Sequence, residues 1–123
     1  MKIRKFNIRI KDLRSMLDDV VKAGEAIEQG KRLKPVKEPE LYFTSFEALR
    51  KALTPKRLEL LHVIKASKPQ SINELARIAK RDVKNISDDV NYLEKIGLVE
   101  KAEGKHKTAL LINYDRIAFE IAV

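Results

Sequence analysis

The spacing of apolar residues predicts a strand and then a helix at the start of the chain. Phe6, Ile8 and Ile10 alternate with polar residues, which favours a short strand within residues 3–10. Lysine and arginine between these apolar positions suit an edge strand. Residues 11–29 follow helical spacing instead, with a single apolar stripe formed by Leu13, Met16, Leu17, Val20, Val21 and Ile27.

A charged segment with two prolines, residues 31–40, comes next and predicts a linker. We therefore divide the chain into an N-terminal strand and helix extension, residues 1–40, and a main domain, residues 41–123. The helix of the extension either covers the core of its own chain or packs against a second copy. We favour dimerisation through this extension, because six large apolar residues on one helix need a partner surface.

Helical patterns with clear start signals open the main domain after a short strand at residues 41–43. Ser45 can cap a helix whose inward face carries Phe46, Leu49 and Leu53. Thr54 followed by Pro55 starts another helix, since threonine caps well and proline suits the first helical position. We expect Leu58, Leu61 and Ile64 to face inward on that second helix.

Two further helices follow with only a short break between them. Ser71 and Glu74 have the spacing of a capping box, and Ile72, Leu75, Ala76 and Ala79 form the inward face of a short helix. The break covers residues 80–83, with Asp82 as the expected N-cap of a helix that ends near Ile96. Its inward residues are Ile86, Val90 and Leu93.

The last third of the chain predicts strands. Residues 98–103 and 109–113 would form a hairpin around a basic turn at residues 104–107, and Ile117, Phe119 and Ile121 alternate as in a final strand. The first and last strands either pair with each other or pair across a dimer. The order of helix, short helix, tight break, longer helix and hairpin predicts an α+β fold, a winged helix-turn-helix with an N-terminal helical extension.

The stretches LTPKRLELLHVI and SINELARIAKRDVKNISDDVNYLEKIGLVEK resemble the MarR-like and ArsR-like winged helix-turn-helix regulators. The resemblance is strongest to short DNA-binding proteins of prokaryotes, some of which are encoded beside toxin genes. It implies a transcriptional regulator that binds double-stranded DNA as a homodimer. The recognition helix would then present Arg81, Lys84, Asn85, Ser87, Asp88, Asn91 and Lys95, and the wing would present Lys101, Lys105, His106 and Lys107.

One position departs from the pattern of these regulators. Many relatives carry a basic or histidine side chain where this chain has Asp88. An acidic group facing DNA is costly unless it accepts a hydrogen bond from a cytosine amino group. The neighbouring Asp89 is expected to pair with an internal basic residue. The acidic pair favours an alternative function, a protein-interaction module such as an antitoxin that neutralises a partner toxin.

The charge of the chain favours a polyanionic partner. It has 26 basic and 18 acidic residues, a formal net charge of +8. The polar residues named above could still form an ordinary solvated helix face and an ordinary polar turn. RNA binding is disfavoured because aromatic residues lie mostly in core patterns and leave no stacking platform.

Nothing in the sequence predicts catalysis or a cofactor. The chain has no cysteine, no phosphate-binding glycine loop and no serine in a nucleophile-elbow pattern. His62 and His106 are 44 positions apart and do not predict a metal site. The chain carries no apolar run of the length of a signal peptide or a spanning helix, so we expect a cytoplasmic protein that is not an enzyme and does not associate with membranes.

Overall fold

The structure is a computed structural model that describes residues 4–11, 14, 17–18, 21–22 and 40–121. The chain forms two compact units. The winged unit comprises Leu53–Asn113, and the sheet unit comprises residues 1–52 and 114–123 as far as they are described. The boundary predicted at residues 40/41 falls inside the sheet unit, and the dimerisation role of residues 1–40 stays a prediction.

Within the described residues, the sheet unit contains three parallel strands and the helix Phe46–Ala52. Strand β1 (Lys5–Ile10) lies between β2 (Glu40–Phe43) and β5 (Arg116–Ile121). The predicted first and last strands thus pair with each other within one chain. Phe6 and Ile8 are buried, and the ring of Phe6 packs at 5.3 Å from that of Tyr114.

The prediction that the first strand lies at an edge is wrong. β1 is the central strand, and its charged residue Arg9 is tolerated there because both neighbouring strands supply a carboxylate. Arg9 lies 3.3 Å from Glu40 and 3.7 Å from Glu120. The edges of the sheet are formed instead by β2 and β5, and on β5 the side chains of Phe119 and Ile121 are about half exposed.

Helix α1 (Phe46–Ala52) completes the sheet unit. Ser45 precedes it, and its hydroxyl accepts a hydrogen bond from the backbone N–H of Ala48, as expected of a capping residue. The prediction that Phe46 faces inward is wrong, because its side chain is 59% exposed. The helix predicted over residues 11–29 lies mostly outside the described residues, of which the isolated positions 14, 17–18 and 21–22 are helical.

The winged unit confirms the predicted order of elements. It consists of α2 (Pro55–Ser67), α3 (Ile72–Ala79), α4 (Val83–Lys95) and the antiparallel hairpin of β3 (Glu100–Glu103) and β4 (Thr108–Leu111), called the wing below. Thr54 and Ser71 cap α2 and α3 through their side-chain oxygens, as predicted. The chain therefore has the α+β winged helix-turn-helix fold.

The buried residues of the winged unit come from its three helices, from the segment that precedes β3 and from β4. They include Leu60, Leu61, Ile64, Leu75, Ala76, Ile86, Val90, Leu93, Leu98, Val99 and Leu110. The prediction that Leu58 faces inward is wrong, since it is 41% exposed. At 100° per residue, the face defined by Leu60, Leu61 and Ile64 includes position 57 and leaves position 58 on the shoulder of the helix.

Candidate nucleic-acid interface

A tight turn fixes the start of α4. Lys80 has a left-handed backbone with φ of 56°, and its N–H bonds back to the end of α3. Asp82 then caps α4, because its carboxylate accepts hydrogen bonds from the backbone N–H groups of Lys84 and Asn85 at 3.1 and 3.3 Å. Two backbone donors at the helix N-terminus, which could otherwise bind a phosphate, are therefore occupied by the protein's own carboxylate.

Helix α4 has one fully buried face and one exposed polar face. Ile86, Val90 and Leu93 have no exposed surface, as predicted. The residues predicted for DNA contact lie mainly on the opposite side, where Lys84, Asn85, Asp88, Asn91 and Lys95 are exposed and Ser87 is half-buried. The structure thus brings these side chains together on one face, with cations, amides and a carboxylate side by side.

The neighbouring acids Asp88 and Asp89 differ in their surroundings. Asp89 accepts hydrogen bonds from Arg57 of α2 at 3.1 Å and from Arg81 at 2.8 Å, and its side chain is only 16% exposed. The expectation that Asp89 pairs with an internal basic residue is confirmed. Asp88 forms no hydrogen bond or ion pair within the described part of the chain, and its carboxylate is open to a partner.

The two arginines around Asp89 are held inside the winged unit. The guanidinium of Arg57 stacks 4.1 Å from the centre of the Tyr92 ring. One nitrogen of Arg81, Nη1, is buried without a hydrogen-bond partner, while Nη2 faces Asp89. The contact of Arg81 with DNA stays a prediction, and its geometry indicates a role in fixing α4 against α2.

The wing presents a basic tip. A hydrogen bond of 2.7 Å from the N–H of Gly104 to the carbonyl of Lys107 closes the turn. Lys105, His106 and Lys107 are all exposed there. Lys101 differs from these three, because its ammonium group donates to the side-chain oxygen of Asn91 at 2.7 Å and lies 3.5 Å from Glu94.

An open groove of about 670 Å³ lies between the wing tip and the starts of α3 and α4. Its walls carry hydroxyl, amide and ammonium donors, together with the carboxylate of Glu103. The lining residues are Ser71, Ile72, Asn73, Val83, Ser87, Glu103, Gly104, Lys105, His106, Lys107 and Thr108. The ammonium groups of Lys105 and Lys107 outweigh the single carboxylate of Glu103 along this lining, which suits an anionic partner.

The described residues form neither a candidate metal site nor a membrane-spanning helix. Within residues 4–11, 14, 17–18, 21–22 and 40–121, no three His, Asp or Glu side chains form a group that could hold a metal ion. No helix in the same ranges has the length and apolar character needed to cross a bilayer. His62 and His106 are both exposed.

Sequence reasoning missed three contributors to this interface. Arg57 was not paired with Asp89, because 32 residues separate them and no local pattern links them. Asn73 and Thr108 enter the groove through the packing of α3 beside the wing. An outward position on the helical wheel would have marked Asn73 as exposed, but nothing in the sequence places it next to the hairpin.

The sequence profile of the HVO_A0114 family matches residues 52–119 of the chain. No curated protein matches the sequence significantly. The solved structures with a similar fold include a homodimeric winged helix-turn-helix DNA-binding domain of a possible ArsR-family transcriptional regulator from Mycobacterium bovis. It is 16% identical, with a TM-score of 0.46, over 80% of this chain and 68% of that one.

Two further solved structures are similar at the same level. A predicted DNA-binding transcriptional regulator from E. coli is 22% identical, with a TM-score of 0.49, over 78% of this chain and 85% of that one. The multiple antibiotic-resistance repressor MarR from Listeria monocytogenes is 19% identical, with a TM-score of 0.44, over 80% of this chain and 60% of that one. None of these findings supports the antitoxin alternative or a link to toxin genes.

Proposed function

The chain belongs to the HVO_A0114 family, and from the geometry of α4 and the wing we propose that it is a transcriptional regulator that binds double-stranded DNA with sequence specificity. The observation that carries this proposal is the exposed polar face of α4 beside a groove walled by wing lysines. A single helix fits the major groove of B-DNA, which is about 12 Å wide. The net charge of +8 adds a general attraction to phosphates.

Base edges are read by the exposed face of α4, beginning in its first turn. Lys84 reaches guanine acceptors, and the Asn85 amide pairs with adenine through one donor and one acceptor. Both side chains are exposed in the first turn of the helix, where such helices meet the bases. Asp88 accepts from a cytosine amino group, the base-edge donor that suits an unpaired carboxylate.

Phosphates are bound by the basic tip of the wing. Lys105 and Lys107 stand at the mouth of the groove, with His106 between them. The groove admits one DNA backbone strand while α4 lies in the neighbouring major groove. Ser87 and Lys95 contact the same duplex from the two sides of α4.

The protein acts as a homodimer on this proposal. Phe119 and Ile121 expose apolar surface on the edge strand of the sheet unit, and Leu17 and Val21 expose more of it. Exposed apolar side chains on an edge strand, such as Phe119 and Ile121, are a surface that a second copy can cover. A two-fold dimer reads a partly palindromic site with half-sites about 10 bp apart, or a multiple of that distance.

The test is binding measured by fluorescence anisotropy. A duplex enriched from a randomised library and a scrambled duplex of the same length are titrated with the full chain between 50 and 200 mM salt. We expect a preference of about a thousandfold for the enriched duplex that persists at the higher salt. Equal affinity for both duplexes would mean that the protein binds DNA without sequence specificity, which would refute that part of the proposal. Absence of binding to either duplex would refute the whole proposal.

A further inference from the structure

The amide of Asn91 has a fixed orientation in the winged unit. Lys101 donates from its ammonium group to the Asn91 side-chain oxygen at 2.7 Å. An ammonium group is a donor only, so the amide atom that faces it must be the oxygen and not the nitrogen. The amide nitrogen consequently points away from Lys101, and it has no partner among the described residues.

The lysine that imposes this orientation is itself held in place. Its ammonium group lies 3.5 Å from Glu94, one turn further along α4 than Asn91. The Lys101 side chain is 20% exposed, whereas the basic residues at the wing tip belong to the exposed class. The ammonium group of Lys101 therefore interacts with α4 and not with solvent alone. Because Lys101 is on β3, this interaction links the wing to the helix.

Asn91 lies on the exposed face that also carries Lys84 and Asp88, at helical spacings of three and four residues. From this arrangement we infer that Lys101 restricts Asn91 to the role of a hydrogen-bond donor, so that Asn91 selects a base edge bearing acceptors, with guanine preferred. The inference rests on the proposed function, since it specifies how one residue of the same interface reads DNA. Lys101 is a positioning residue, because it acts through Asn91.

The donors and acceptors on each base edge determine which base Asn91 can select. A free asparagine recognises adenine by accepting from N6 and donating to N7. Beside the Lys101 ammonium group, the Asn91 oxygen is a poor acceptor for the adenine amino group, which would lie next to a positive charge. The outward N–H groups suit guanine, which offers both N7 and O6, and they exclude cytosine, which offers an amino donor.

Three variants separate the orientation from the charge. Asn91→Asp has nearly the same shape and keeps the contact with Lys101, but it turns the outward donor into an acceptor. Lys101→Met removes the ammonium group that links the wing to α4, and it leaves the Asn91 amide free to rotate. Lys105→Met is the matched control, because it removes one wing charge from a residue that does not bond to α4.

The full-length variants are compared on duplexes in which each position of the library-enriched site carries each of the four bases. For Asn91→Asp we expect the preferred base at one position to change from guanine to cytosine, with relative affinities that move by about tenfold. Lys101→Met should gain affinity for adenine at that same position. Lys105→Met should weaken binding to all duplexes alike and leave the base preference unchanged.

The outcomes distinguish this inference from the proposed function. If the wild type selects no sequence, both are overturned. If it selects a site while Asn91→Asp keeps every base preference, only the inference is overturned. A measurement without DNA gives a second check: the side-chain amide resonances of Asn91 should shift in Lys101→Met and stay in place in Lys105→Met, and unchanged resonances in Lys101→Met would also overturn it.

Discussion

Asp89 of α4 and Arg57 of α2 form an ion pair, 3.1 Å between Oδ1 and Nε, that joins two helices of the winged unit. Arg81 completes it from the other side at 2.8 Å. Because all three side chains are at most about a quarter exposed, removing the carboxylate leaves two poorly solvated guanidinium groups. The exposed Asp88 next to it provides a natural comparison.

Asp89→Asn is expected to destabilise the protein by about 2 kcal/mol, since it removes the charge that both arginines share. Asp88→Asn should change the free energy of unfolding by less than about 0.5 kcal/mol, because Asp88 has no partner among the described residues. Urea unfolding followed by circular dichroism measures both. Equal losses in the two variants would contradict the structural role of Asp89.

The Asp88 substitution should also change how the protein binds DNA. Asp88→Asn removes a negative charge from the proposed DNA-binding face, so we expect tighter binding to a scrambled duplex and less discrimination against it. Anisotropy titrations on the enriched and the scrambled duplex measure both quantities. Unchanged affinity for the scrambled duplex would mean that Asp88 lies away from DNA.

Asn85 and Lys105 are expected to contribute differently to binding. Asn85→Ala should cost about 1–3 kcal/mol on the enriched duplex and little on a scrambled one, since it removes a base contact. Lys105→Ala should weaken both duplexes alike and lower the slope of log affinity against log salt by about 1. The proposed base-reading role of Asn85 would be refuted by equal losses on the two duplexes.

Lys80 and Lys68 both have a left-handed backbone, with φ of 56° and 48°. A residue with a Cβ is strained there, so replacement of either lysine by glycine should stabilise the protein by about 1 kcal/mol. Lys80 lies in the turn that leads into α4, the helix proposed to enter the major groove, whereas Lys68 follows α2. Lys80→Gly should therefore also weaken DNA binding, whereas Lys68→Gly should not.

Thermal unfolding and anisotropy on the same preparations compare these two glycine variants. A loss of stability in both would contradict the left-handed assignment. A gain in both, with equal affinities for DNA, would leave the turn at Lys80 outside the DNA-binding surface.

Tyr114 should make the stability of the sheet unit decrease at alkaline pH. Burial raises the pKa of its phenol above the usual value of 10. A raised pKa in the folded state means that the full contribution to stability is present below pH 10 and is lost as the pH rises further. We expect the free energy of unfolding to fall between pH 10 and 11, and to fall less steeply in Tyr114→Phe. Identical slopes in urea unfolding at these pH values would contradict this.

The sequence predicted the elements that depend on neighbouring residues and missed the features that depend on distant ones. Thr54, Ser71 and Asp82 cap their helices as expected, because a cap bonds to backbone groups within three residues. The charge of Arg9 favours an edge strand when the sequence is read alone. Its partners Glu40 and Glu120, which allow it to lie in a central strand, come from two remote segments. Ion pairs of this kind leave no periodic signal in the chain.

The same limit applies to the proposed interface. The outward face of α4 followed from the apolar positions Ile86, Val90 and Leu93. The inward turn of Lys101 did not, because a lysine in a hairpin has the same pattern whether it faces solvent or a helix. Arg57 lies on the apolar face of α2, where Asp89 compensates its charge at 3.1 Å.

The central place of β1 in the sheet has a consequence for the order in which the two units fold. Its partner β5 is synthesised more than 100 residues later, and the backbone of Arg4 bonds to Asp115 across a separation of 111 positions. The winged unit, by contrast, is one continuous stretch of chain. The winged unit can therefore fold through contacts that are closer in sequence, whereas the pairing of β1 with β5 requires closure of a loop of more than 100 residues, so we expect the sheet to form last.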